Sequence, residues 1–178
     1  MATTTTSRAP AVIGLVSIVA GAIFLVAGAV TWGLVSSNLR AEEITVSEDA
    51  AMFGGQTVQD PFTAFAQADI INHHALAATD GKTYAELGSE ISTLKADGAA
   101  DDSEEVLALQ GQRTTVMNAS FLRASLFTSV VAFGVAALVM GLGVMFALVG
   151  LGLRKVAVTS SPEASAAPAG PAGPPTRD

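Results

Sequence analysis

Both histidines of this 178-residue chain stand side by side, in the stretch AQADIINHHALAATDGKTY at positions 66–84. Asp69 precedes His73 by four residues, so on a helix their side chains are neighbours. A carboxylate beside an imidazole can contribute to a metal site, respond to pH, or lock two elements together through a hydrogen bond. His74 points about 100° away from His73 on a helix, so the adjacent histidines do not grip one ion. Asp69 and His73 would supply two ligands, leaving a third to Glu86, Glu90 or another copy of the chain. They are weak metal candidates, and no metal site is assigned. The pair reads first as a packing contact, on an apolar arc shared with Phe62, Phe65, Ile70 and Leu76.

Other catalytic signatures are missing. There is no cysteine, which excludes thiolate ligands, Cys nucleophiles and disulfides. Gly81-Lys82-Thr83 ends like a phosphate-binding loop but lacks the upstream glycine and strand. No nucleophile elbow accompanies the histidines. No cofactor is predicted. Asn118-Ala119-Ser120 matches a glycosylation acceptor, a pattern common by chance. The segment 36–124 carries fourteen acidic and five basic residues, a net charge of −9. That balance argues against a nucleic-acid partner, since phosphate binding needs clustered Lys and Arg.

Two apolar blocks frame this acidic segment. Residues 11–35 contain no charge and, as a helix, would reach roughly 38 Å, enough to cross a hydrocarbon core of about 30 Å. Residues 124–153 form a second, longer block. Both are predicted transmembrane helices, and the first is too long for the apolar core of a signal peptide. Trp32 lies near the end of the first span, where amphipathic rings settle. Arg8, Arg154 and Lys155 flank the spans on one side, Arg40 and Arg123 on the other. The bias predicts a plasma-membrane protein with both termini cytoplasmic. The expected order is a tail at 1–10, a span at 11–35, an acidic extracytoplasmic domain at 36–123, a span at 124–153, and a disordered Pro/Ala-rich tail at 154–178.

Small residues recur every seven positions in both spans: Gly14, Gly21 and Gly28; Gly134 and Gly141; and Ala136, Gly143 and Gly150. This repeat keeps a shallow seam facing a neighbour and lets backbones approach closely, either between the two spans or between copies of the chain.

Three helices are predicted between the spans. Asp60 caps the first and Pro61 opens it, while Asp80-Gly81 stops it. Thr83 and Glu86 have capping-box spacing for the second, whose stripe is Leu87, Ile91 and Leu94, with Gly98 ending it. These two are expected to form an antiparallel hairpin. Asp102 or Ser103 caps the third, which is expected to run unbroken into the second span, with Gly111 its weakest point. Before them, EEITV could form a short strand, and Gly54-Gly55 marks a flexible point.

The segment PFTAFAQADIINHHALAATDGKTYAEL, with its flanking spans, resembles a family of small two-span membrane proteins of high-GC Gram-positive bacteria. The resemblance covers about residues 10–155, and its most specific part is HALAATDGKTYAEL. Members are often labelled aromatic ring-opening dioxygenases, which would imply a non-haem iron enzyme. Such a site takes two histidines and a carboxylate on one face, whereas His73 and His74 diverge and no third histidine exists.

The fold class expected is therefore an all-α membrane protein, two transmembrane helices around a small helical domain. The function expected is a non-enzymatic interaction or accessory subunit, assembling through the glycine-seamed spans and the helical extracytoplasmic domain, in a homo-oligomer or a larger membrane complex. A metal-dependent membrane enzyme and a pH or envelope sensor are the alternatives.

Overall fold

A computed structural model describes residues 9–159. Helix accounts for 79% of it, with no strand among the described residues. The helices are α1 (Ala9–Ala41), α2 (Pro61–Ala77), α3 (Tyr84–Ala96) and α4 (Glu104–Thr159). α1 and α4 are long and apolar enough to cross a membrane, by length and composition. The expected tails fall outside the described residues at 1–8 and 160–178, and residues 154–159 continue α4 rather than opening a tail.

Local chemistry places the helix starts. Asp60 Oδ1 accepts from the backbone N–H groups of Phe62 and Thr63, both at 2.9 Å. Thr63 Oγ1 returns the favour, accepting from the Asp60 N–H at 3.2 Å. This reciprocal box satisfies donors that the first helical turn leaves orphaned. At α3, Glu86 Oε2 accepts from the Thr83 N–H at 2.8 Å and from its hydroxyl at 2.7 Å. These bonds hold the Glu86 carboxyl below its ordinary range. Gly98, at φ +100°, ends the α3 region in a conformation open mainly to glycine. α4 runs unbroken through Gly111. The Ser103 hydroxyl before it is buried and meets no partner, so it does not cap the helix.

The chain divides into two compact units, Met1–Ile23 with Leu142–Asp178, and Phe24–Gly141. Within the first, α1 and α4 meet at glycines. A Cβ added at Gly21 would lie 2.6 Å from the Gly143 carbonyl oxygen and 2.8 Å from the Ala147 nitrogen. One added at Gly14 would lie 2.7 Å from the Gly150 carbonyl oxygen. Seven residues forward on α1 is thus matched by seven back on α4, as an antiparallel crossing requires.

The second unit holds two apolar clusters. One gathers Leu39 of α1, Val46 and Val58 of the intervening loop, Ala64 and Ala68 of α2, and Leu126 and Phe133 of α4. The other joins Leu87 and Ile91 of α3 to Val106, Leu109 and Val116 of α4. The expected α2–α3 hairpin core is therefore replaced by two separate seats on α4. The reason is supply: α4 offers one apolar stripe to each helix, and the short α2–α3 turn is held instead by polar contacts such as Lys82 to Glu90, 2.6 Å apart.

The segment 42–60 is ordered by a tight reversal and not by a strand. Thr45 and Thr57 form an isolated antiparallel bridge. The Val46 and Val58 N–H groups donate to the carbonyls of Gln56 and Ile44, each at 2.8 Å. Gly55 turns the chain at φ +72°. A Cβ at Gly54 would meet the Glu48 carbonyl oxygen at 2.8 Å. The glycine pair thus serves a close backbone approach.

Candidate functional site

Apolar residues of α2 lie on more than one side, and the size of the residues and the polarity of Asp69 and His73 decide which side is buried. Ala64, Ala68 and Ala75 pack inward with Thr63 and Ile70. Their small side chains allow a close approach, and the Arg123 Nε donates to the Ala68 carbonyl at 3.2 Å across it. The bulkier Phe62 and Phe65 are left outside, 67% and 49% exposed. Asp69 and His73 are exposed and continue the same stripe, while Leu76 is half-buried at its end. The arc predicted to be buried is thus largely the outer face. Phe65 touches Phe127 edge-on, with centroids 5.9 Å apart.

The histidines separate as helical geometry requires, but with their roles exchanged. His74 finds a carboxylate: its Nε2 lies 2.7 Å from Oδ2 of Asp49, in the loop before α2. His73 and Asp69 make no hydrogen bond or ion pair that ties them to each other among the described residues. The His73 and His74 ring centroids are 6.3 Å apart. Neither local spacing nor periodicity reveals Asp49, which lies twenty-five residues before its partner. Among the described residues, no three or more His, Cys, Asp or Glu side chains are grouped to hold a metal ion.

The Asp49–His74 contact carries a pH signature. The hydrogen bond from His74 holds the Asp49 carboxyl below its ordinary value, helped by positive charge on His74 and His73. A depressed folded-state carboxyl contributes stability above its ordinary value of about 3.9, and that contribution is lost as pH falls through the lower folded value. Both partners are largely solvent-exposed, so the effect is local. Acidification through this range is expected to raise hydrogen exchange in residues 46–56 a few-fold, after correction for intrinsic rates. In Asp49→Ala that loosening is expected already at neutral pH. Equal protection of the segment in both proteins across the titration would refute the coupling.

The predicted small-residue seam resolves by direction. Gly14, Gly21, Gly143 and Gly150 are buried within the first unit. In the second, a Cβ at Gly28 would lie 2.8 Å from the Ala136 carbonyl oxygen and 2.5 Å from Met140 Cγ. Gly134 and Gly141 are exposed, with open space where a Cβ would stand. Of the two small-residue rows on α4, the one through Gly134 and Gly141 turns away from α1. Periodicity detects both rows equally and cannot choose the facing one.

A groove of about 600 Å³ opens beside α2, between Val35 and Ala132 at one end and Glu42 and Gln67 at the other. Glu42 is its one carboxylate, and no histidine lines it, so it lacks the paired groups of acid–base catalysis. Trp32 packs against the fully buried Phe133 in the same unit with the rings tilted, centroids 4.7 Å apart.

No protein-family model matches this chain, and no curated protein or solved structure matches it.

Proposed function

We propose that this chain is a two-span membrane protein with both termini cytoplasmic, acting as a non-enzymatic interaction or accessory subunit. The observation that carries the role is the outer stripe of α2, Phe62, Phe65, Asp69 and His73. Two exposed phenylalanines beside an ionisable pair have the make-up of an assembly surface, with aromatic anchors and a polar edge.

Membrane insertion is supported by what α1 and α4 leave uncovered. In the most apolar window of each, 17% of residues are buried, far below what a soluble core helix would show. Val16, Ile23, Leu138 and Leu148 are among the large side chains more than half exposed. Water would meet an extended apolar surface, whereas lipid covers it without cost. The glycine crossing supports a retained first span, because α1 is fitted to α4 backbone to backbone. That crossing joins spans of one chain, which leaves the α2 stripe and the outward row through Gly134 and Gly141 uncovered, and the α2 stripe carries the aromatic anchors.

Native mass spectrometry in mild detergent tests the assembly. The wild-type chain is expected as a homo-oligomer or with a co-purifying membrane protein. The double substitution Phe62→Ser, Phe65→Ser is expected to weaken that assembly by roughly tenfold or more, as loss of paired aromatic anchors does. A wild-type monomer without partner would overturn the proposal.

A further inference from the structure

The acidic segment has five basic side chains, and four of them have an evident polar partner. Lys82 pairs with Glu90 at 2.6 Å and Lys95 with Asp101 at 2.7 Å. Arg40 donates to Gln59 Oε1 at 3.5 Å and Arg123 to the Ala68 carbonyl at 3.2 Å. Arg113 is different. Its guanidinium lies over the Tyr84 ring, 4.0 Å from the centroid. Its Nε is buried and meets no acceptor among the described residues. In a segment with fourteen carboxylates, none pairs with this cation.

The seat of Arg113 is built. Gly88 of α3 faces it, and a Cβ there would stand 3.3 Å from Nε, so the missing side chain gives the guanidinium room. Beside it is a pocket of about 300 Å³ between α3 and α4. Its polar lining is Tyr84, Lys95, Gln110 and Arg113, with Thr114, whose hydroxyl already donates to the Gln110 carbonyl at 2.9 Å. Its apolar lining is Ile91 and Met117. No carboxylate lines the pocket. Lys95 remains engaged with Asp101, which leaves Arg113 as the main unmet donor.

The half-buried guanidinium has no carboxylate partner, so its terminal nitrogens keep donor capacity that a ligand acceptor can fill. A guanidinium offers a planar pair of donors that matches a carboxylate in two parallel bonds. The amide of Gln110 and the hydroxyl of Tyr84 can donate to the same group. Ile91 and Met117 suit a short aliphatic body.

We propose that this α3–α4 pocket binds a carboxylate carried on a short apolar body, with Arg113 as its anchor. A free organic acid and the carboxyl end of a peptide share this chemistry. The site is independent of the α2 stripe and of membrane insertion.

The test uses the full chain in mild detergent at fixed ionic strength, following the arginine Nε–H resonances. N-acetyl-leucine, its uncharged amide N-acetyl-leucinamide, and inorganic phosphate are the probes. N-acetyl-leucine is expected to shift the Arg113 signal saturably, with the amide silent and phosphate weaker by about tenfold or more. Arg113→Gln is expected to abolish binding, read from the Tyr84 ring signals, and Arg113→Lys to weaken it about tenfold, since an ammonium cannot form the bidentate pair. Unchanged Arg40 and Arg123 resonances report that the variants remain folded. Met117→Trp, which fills the pocket and keeps the guanidinium, is expected to block binding as well. A tetrapeptide ending in leucine that binds about tenfold more tightly than N-acetyl-leucine identifies a peptide end as the source, and equal or weaker binding identifies a small acid. No saturable shift, an equal response to the amide, or a preference for phosphate would overturn the proposal.

Discussion

Gly21→Leu is expected to be among the most damaging single substitutions in the apolar helices. The first added carbon would already collide with backbone on α4, at the Gly143 carbonyl and the Ala147 nitrogen. Neither atom can swing aside as a side chain could, so the helices must separate. Overpacking of this kind costs about 1–3 kcal/mol, and backbone displacement puts this site at or above the upper end. On the proposed membrane reading the loss falls on van der Waals contact, which is the main attraction between helices in lipid. The thermal midpoint in detergent is expected to drop by roughly 5–10 °C. Gly134→Leu is the matched control. Open space surrounds that position, so the same substitution is expected to leave the midpoint within about 2 °C. Equal effects at the two positions would mean that the observed crossing is not what holds α1 to α4.

Leu87→Ala is expected to be the costliest change in the segment between the apolar helices. Leu87 is fully buried and central to the small cluster that seats α3 on α4. Removing it costs about 2–5 kcal/mol, the lost transfer energy plus that of the cavity. With so few apolar partners, α3 has little else to hold it. Protease cleavage and hydrogen exchange are expected to rise across residues 84–103, while α2 stays protected by its separate cluster. Leu107→Ala, at a position 53% exposed, is expected to change neither by more than about twofold. If Leu87→Ala loosened α2 equally, the two clusters would be acting as one.

How far these features were legible in the sequence follows from the range of the interaction behind each. Asp60-Pro61 and the Thr83–Glu86 box are local, and the helices begin where those residues stand. The continuity of α4 was equally readable, because no proline interrupts it. The facing of α2 was not. Phe62 and Phe65 outrank Ala64 and Ala68 on any scale of apolarity, yet the alanines are buried because they let the helix approach α4 closely. Side-chain volume favours the alanine face, and Asp69 and His73 on the opposite arc would be costly to bury. The Asp49–His74 contact was hidden for another reason. It depends on the tight reversal at Gly54-Gly55, whose shape follows from long-range packing of Val46 and Val58. Nothing local in the sequence singles out Arg113, because Tyr84 and Gly88 come beside it from α3.

The unbroken course of α4 has a mechanical consequence. α3 rests on its Val106 and Leu109, while Trp32 of α1 rests on its Phe133. Between those seats the helix has no proline and no joint, and its glycine at 111 leaves the ladder of hydrogen bonds continuous. A helix of this kind behaves as a lever, stiff in bending and in torsion over a few turns. A load applied at the α3 seat reaches Phe133 as tilt or rotation, without a hinge to absorb it.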